Sequence, residues 1–365
     1  MSLAPPEAPL ARFRRRCLSQ DPAAFNTGWE DVLVPYGIAR AGRILGDRVL
    51  LDWAERWAVH HHEAGCAEEP LSPIVLTGDR RAGYVIGDFC GNWAGPLVHA
   101  ELHSARPASW LVDEARVISS LALRHAHRFS DGAFAHGGWD LGRRTIWIDT
   151  LFYSASVFAA TFVLTHDRRF AEEALRQVNR HSAWLQDSVT GLFYHDVEPA
   201  TGARATAFWA RGNGWALLAL ADVLRHCPRD LPGWTDALAS YQRLATGLML
   251  QQHRCGLWRI IFGTDEAHLE TSGTAMILAG LACGMRDGWI DSSARRVIIQ
   301  GWQELQTWID PHGVLQGAQR PAGIGGWETH KLSSLGECTY ATGLFWRLVA
   351  DLVDAGLVAR PQFSF

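Results

Sequence analysis

The run Ala207-Phe208-Trp209-Ala210-Arg211-Gly212-Asn213-Gly214-Trp215 sets two indoles around one arginine and two glycines, and an apolar helical run, Ala216 to Leu224, follows at once. A guanidinium is a planar fork of donors that matches a carboxylate. Indole faces suit the C–H faces of a sugar ring, and the indole N–H adds a donor. Glycine lets a ligand approach the backbone closely. The segment reads as a pocket wall for a small, flat, anionic and partly apolar ligand, a description that an acidic sugar fits. The alternative is a stacked Arg–Trp pair that fastens a helix start; the two glycines weigh toward the ligand.

Four further groupings carry potential chemistry. In Trp147-Ile148-Asp149-Thr150-Leu151-Phe152-Tyr153 one carboxylate opens an apolar helix. Asp149 is then either an N-cap or a general acid whose pKa is raised by apolar surroundings. His195, in Phe193-Tyr194-His195-Asp196, is either a hydrogen-bonding core residue or a site residue. Asp88, in Gly87-Asp88-Phe89-Cys90-Gly91-Asn92-Trp93, is a helix cap or a second acid. His136-Gly137-Gly138-Trp139-Asp140 is an aromatic loop just ahead of Asp149. Glu270-Thr271-Ser272, by contrast, reads as a capping segment at a helix start. His60, His61 and His62 are consecutive and cannot all face one ion from a helix. With no H-E-x-x-H, P-loop or nucleophile elbow in the chain, neither a metal nor a cofactor is expected.

The elements that must position these groups are helical almost throughout. Apolar residues recur at three- and four-residue steps over 29–45, 47–62, 91–104, 111–128, 147–165, 171–188, 214–226, 232–251, 271–286, 292–309 and 336–356. Period-two alternation is scarce. Glycine-aromatic loops recur between helices: Gly191-Leu192-Phe193, Gly256-Leu257-Trp258 and Gly313-Val314-Leu315. Repeated helix pairs without a long linker predict an all-α ring of six hairpins, an α/α toroid with its loops gathered at one mouth. The expected division is an N-terminal arm, residues 1–25, and one barrel domain, residues 26–365.

Composition narrows the partners. The chain has 365 residues, 48% hydrophobic and 20% charged, with net charge −4; that is ample for a core and too apolar for disorder. The basic cluster Arg12 to Arg16 reads as a solvated terminal arm, since the body has no excess of positive charge, and no nucleic acid partner is expected. No run is read as long and apolar enough to span a bilayer, so no membrane is expected either. The seven cysteines are scattered, without a C-x-x-C pair. A reduced cytoplasmic setting follows as the expectation. The assembly is left as monomer or homodimer. Seventeen tryptophans exceed what a core of this size ordinarily holds; most are assigned to the core and the remainder to a sugar-lined cleft.

With these residues in view, the chain resembles the unsaturated glucuronyl and rhamnogalacturonyl hydrolases, glycoside hydrolase families 88 and 105, the second type being the closer likeness. The likeness rests on Trp147-Ile148-Asp149, Leu192-Phe193-Tyr194-His195, Trp209-Ala210-Arg211-Gly212-Asn213-Gly214-Trp215, Glu270-Thr271-Ser272-Gly273-Thr274-Ala275 and Tyr340-Ala341-Thr342-Gly343, in order along most of the chain. It implies an (α/α)6 barrel, with Asp149 as general acid/base and His195, Trp209, Arg211 and Trp215 around a uronate. Trp29 sits where an N-terminal pocket tryptophan is expected; Trp139 and Trp147 join the same wall. Asp88 is followed by Asn92 and Gly95 at a longer spacing than the family's usual pattern, so either Asp88 or Asn92 takes the second polar position. The implied ligand is a small unsaturated uronyl oligosaccharide, hydrated at its C4=C5 bond. Two rival readings are another sugar enzyme on the same toroid, a conventional glycosidase or isomerase, and a non-catalytic acidic-carbohydrate-binding protein.

Overall fold

The computed structural model describes residues 7–64, 94–136, 145–321, 330–331 and 333–363. Among these, the helices are α1 (Pro9–Leu18), α2 (Leu33–Leu45), α3 (Arg48–Glu63), α4 (Gly95–Ala105), α5 (Ser109–His125), α6 (Ile148–Thr165), α7 (Arg168–Leu185), α8 (Ala210–His226), α9 (Trp234–Leu250), α10 (Ser272–Arg286), α11 (Ala294–Thr307) and α12 (Thr339–Asp354). Within α6, Phe152–Ser156 is wound as a π turn. The even-numbered helices stand side by side in a ring that closes where α12 packs on α2; the odd-numbered helices α3 to α11 each back onto the preceding even one. This is an (α/α)6 barrel.

Sequence decides which helix goes inside. In α8 every residue from Ala210 to Leu224 is buried, and in α10 every residue from Ser272 to Gly284. A helix that is apolar on all sides must be covered on all sides. The outer α7 instead buries one stripe that includes Phe170, Ala174, Val178 and Leu185. Inner helices also meet closely. A Cβ on Gly37 would lie 1.8 Å from the Gly343 carbonyl oxygen, so α2 and α12 touch backbone to backbone. Turns between partners are short: Gly46 takes φ 64°, and Asp47 then caps α3 by accepting from the Val49 amide at 3.0 Å.

Two expectations need correcting. The supposed N-terminal arm is not solvated: α1 buries Phe13 and Cys17, and the Phe13 ring lies 4.7 Å from Phe345 and 5.3 Å from Trp346. The rim glycines show where it belongs. Gly191, Gly256 and Gly313 all have positive φ, and a Cβ on each would strike the backbone of the next outer helix, at Arg243 in α9, Gln300 in α11 and Arg12 in α1. Helix α1 is therefore the outer partner of the sixth pair. Of its basic residues Arg15 and Arg16 are exposed, while Arg12 donates to the Asp310 carbonyl and Arg14 reaches back to Asp47 at 2.9 Å. The second correction concerns α6, which has mean hydropathy 1.4 and suffices by length and composition to cross a bilayer. It is mostly buried, because it is an inner wall of the barrel.

Short strands bind the rim: β1 (Ile146–Trp147), β2 (Asp196–Glu198) and β3 (Ala203–Arg204) in one antiparallel sheet, β4 (Trp258–Arg259) with β5 (Leu269–Glu270), and β6 (Ala318–Gln319) with β7 (Leu335–Gly336). They stand ahead of inner-helix N-termini, so those termini share one mouth. The opposite half of the barrel is closed by buried ion pairs. Arg40 of α2 holds Asp351 of α12 and Glu101 of α4 (2.7 Å), and Arg347 holds Asp222 of α8 (2.6 Å) and the Tyr36 hydroxyl (2.7 Å).

Candidate active site

Strand β1 pairs with β2 in the register Trp147 to Asp196. That register brings Asp149, in the first turn of α6, beside His195. The Ile148 amide donates to the His195 carbonyl at 2.9 Å, which locks the two segments together. Asp149 is not the N-cap of its helix. Trp147 holds that position, with no side-chain cap bond. The Asp149 Oδ2 atom lies 3.7 Å from His195 Nε2 and has no hydrogen-bond partner among the described residues. On its other side His195 Nδ1 is 3.1 Å from Asp196 Oδ2. Aromatic rings enclose the imidazole: Trp147 and Trp209 at 5.1 Å each, and His330 at 5.5 Å. His136 stacks flat on Trp147 at 3.9 Å and shares a 2.7 Å hydrogen bond with Thr150.

The charge state of Asp149 differs from the sequence expectation. Burial by itself would raise its pKa, but contact with His195 and the charges of His195, His136 and Arg211 outweigh it, and the carboxyl is held below the ordinary range. Burial would lower His195, yet Asp149 and Asp196 together lift it to about 9. At neutral pH the pair therefore carries its proton on the imidazole. The apolar walls are present as expected; what the linear sequence hid is the cationic partner across the sheet.

Arg211, in the first turn of α8, is 4% exposed. Its Nη1 donates to the Gln319 carbonyl at 2.7 Å and to the Tyr340 hydroxyl at 2.5 Å, and its guanidinium stacks on Trp209 at 4.6 Å. The fastening reading of this residue holds, since it ties a helix start to an indole; its Nε and Nη2 keep no acceptor among the described residues. Trp209 in turn donates from Nε1 to Gln319 Oε1 at 2.7 Å. Trp29 reaches the same corner from the start of α2, 5.4 Å from the Tyr340 ring. Glu270 behaves as the capping residue it resembled: its carboxylate accepts from the Ser272 and Gly273 amides at 2.7 and 2.5 Å. Burial raises its pKa, against the pull of Ser272 and Arg211.

Other assignments change. The motif glycines serve packing rather than ligand approach: a Cβ on Gly212 would meet the Trp209 ring at 2.7 Å and Ile148 at 2.8 Å, and one on Gly214 would meet Met276 at 2.6 Å. Trp215 does not face the mouth. It is 1% exposed and packs on Phe152 and Tyr153 at 4.8 and 5.3 Å, because one turn of helix carries it into the barrel wall. Asp88, Asn92 and Trp139 lie outside the described residues. Of the fourteen described tryptophans, Trp29, Trp147 and Trp209 border the Asp149–Arg211 corner; most of the others are core. Sequence reading missed Gln319, His330 and Asn213 as parts of the site. Gln319 and His330 stand in stretches with no chemical pattern, and Asn213 was overlooked between two conspicuous glycines.

The family model for Glycosyl Hydrolase Family 88 matches residues 11–352. The chain belongs to glycosyl hydrolase family 88. As a family 88 member it is 27% identical over 271 residues to the unsaturated rhamnogalacturonyl hydrolase YesR of Bacillus subtilis, covering 74% of this chain and 73% of that one. It is 27% identical over 176 residues to an unsaturated 3S-rhamnoglycuronyl hydrolase of an Alteromonas strain; there the match spans 47% of this chain and 43% of the relative. Among solved structures, a possible family 105 member from Salmonella enterica superposes with a TM-score of 0.79 at 17% identity, covering 94% and 93% of the two chains. The unsaturated glucuronyl hydrolase of Bacillus sp. GL1 gives 0.67 at 15%, covering 94% and 93%. These likenesses place the family 88 chain on the same barrel.

Proposed function

We propose that this protein removes a terminal 4,5-unsaturated uronic acid from oligosaccharides left by a polysaccharide lyase, of the pectin and rhamnogalacturonan type, with Asp149 as general acid/base. The observation that carries this reading is the Asp149 carboxylate, whose buried Oδ2 has no hydrogen-bond partner among the described residues, beside a proton-bearing imidazole and a buried arginine. Ordinary glycosidases need two carboxyl groups flanking the bond. Among the described residues at this mouth, Glu270 spends both oxygens on helix amides, Asp196 lies against the far nitrogen of His195, and Glu30, near Arg211, has its pKa raised by burial. One carboxylate suffices for hydration of an enol ether.

In this scheme the sugar carboxylate binds Arg211 through the donors that Gln319 and Tyr340 leave open, with inner-helix N-termini adding favourable potential. Trp29, Trp147 and Trp209 flank the flattened ring, and Asp88 or Asn92 adds a second polar contact. The proton held by His195 reaches the substrate through Asp149, which it contacts. Asp149 then protonates C4. The π electrons of the C4=C5 bond form the new C–H bond, and an oxocarbenium centre develops at C5. Water adds there and returns its proton to Asp149. The C5 hemiketal opens, and the bond at C1 breaks with release of the aglycone alcohol.

The test is ultraviolet absorbance of a lyase-generated unsaturated rhamnogalacturonan disaccharide. Wild type should bleach the conjugated C4=C5 chromophore, and folded Asp149→Asn should not. Normal turnover by Asp149→Asn would remove the assignment of the acid. No bleaching across pectin-, glycosaminoglycan- and arabinogalactan-derived substrates would favour a conventional sugar enzyme or a binding protein.

A further inference from the structure

We propose that Asn213 is a positioning residue of this site: by gripping both backbone groups of Phe193 it sets where His195 meets Asp149. The catalytic consequence rests on the function proposed above; the geometric one does not. Asn213 is fully buried in the first turn of α8, two residues after Arg211. Its Oδ1 accepts from the Phe193 amide at 2.7 Å. Its Nδ2 donates to the Phe193 carbonyl and to the Trp209 carbonyl, at 2.9 Å each. One carboxamide thus fills three backbone bonds, with donor and acceptor ends fixed by what they face. Turned over, it would set an NH2 group against an N–H and an oxygen against two carbonyls. Aspartate keeps the acceptor and loses both donors; alanine loses all three bonds.

The bonds form a closed path. From α8, Asn213 holds Phe193. Two residues on, the His195 carbonyl receives the Ile148 amide at 2.9 Å, and Ile148 precedes Asp149 in α6. The helix that carries Arg211 is thereby tied to the segment that carries the proton pair. The loop is also held to the end of α7, where the Tyr194 amide donates to the Leu185 carbonyl at 2.9 Å, the Asp187 amide donates to the Leu192 carbonyl at 2.8 Å and Phe193 bridges to Gln186; Asn213 is its tie to α8. The titratable groups facing His195 are Asp149 from α6, Asp196 next to it in the chain, His136 from the loop before β1, and His330, with Arg211 of α8 acting on Asp149. A shift of the loop changes the Asp149 distance first, since Asp196 moves with it. A displacement of about 1 Å at such a contact is enough to cost about a hundredfold in rate.

The experiment uses full-length Asn213→Ala and, as a variant that keeps one bond, Asn213→Asp. The His195 ring is titrated by NMR in the ligand-free protein, and kcat and KM are measured against pH. The expected result in a folded variant is a fall of His195 titration by about one pH unit or more, with the alkaline limb of kcat moving down alongside it. kcat should drop about ten- to a hundredfold, with KM changed little. A folded variant with less thermal stability but unaltered His195 titration and pH profile would overturn the proposal, leaving Asn213 only structural. The titration needs no substrate, so it decides the point even if wild type turns over no unsaturated uronide.

Discussion

His195 holds its proton up to about pH 9 because two carboxylates face its two ring nitrogens. If that proton is the one delivered to C4, activity must decline as pH rises through about 9, and removing one carboxylate must bring the decline to lower pH. For Asp196→Asn we expect the alkaline limb of kcat/KM to move down by about one unit or more; a limb left in place would detach it from His195. Linkage adds a stability counterpart. A group raised above its unfolded value contributes stability that is complete below the unfolded pKa and is lost as pH rises through the folded one. The thermal midpoint should accordingly fall between about pH 6.5 and pH 9, and His195→Gln should flatten that fall. Arg211 has a separate role. Arg211→Ala should weaken binding of the unsaturated disaccharide by roughly 1.5–3 kcal/mol, the range for a hydrogen bond to a charged group. Calorimetric titration against inactive Asp149→Asn as the parent would read this directly, and equal affinities would argue against a carboxylate at Arg211.

At the scale of elements, the site is a set of junctions between rim strand and inner helix. Asp149, Arg211, Glu270 with Ser272, and Tyr340 each stand at the start of α6, α8, α10 and α12. The spacing between α6 and α8 is set at Gly212, where Ile148 and the Trp209 ring fill the space a side chain would need. Gly212→Ala should push these two helix starts apart and cost about 1–3 kcal/mol, as overpacking does. Urea unfolding would measure it. A neutral result would mean that the Trp209 ring swings clear, and the contact between Arg211 and its indole would have to be reconsidered.

The whole molecule closes through its two chain ends. Helix α1 fills the outer position beside α11 and α12, so the first residues complete the ring begun by α2. Phe13→Ala should then lower global stability by about 3–5 kcal/mol, the usual cost of emptying a buried aromatic site. A solvated arm would show almost no change. The opposite half of the barrel is held by Arg40 and Arg347, whose pKa values are raised by surrounding carboxylates despite the opposing effect of burial. The mouth is left with the inner-helix N-termini.

Much of this was legible in the chain itself. Helical periodicity with glycine-aromatic loops is enough for a ring of hairpins, because an all-apolar helix has to be enclosed and short loops keep successive helices adjacent. The groups of Trp147-Ile148-Asp149, His195 and Trp209-Ala210-Arg211 were recognisable because residue type alone limits what each can do. Direction and proximity were not. Whether Trp215 reached a pocket depended on how deep in the barrel one further turn of α8 places it, on the face it shares with Arg211. Whether α1 was arm or wall depended on a contact with residues more than three hundred positions away, Phe345 and Trp346. The sign of the Asp149 shift depended on a strand pairing that brings an imidazole across from another hairpin. A pKa sums charges in space, and local sequence carries no record of which distant charges will be near; that sum existed only once the barrel had closed.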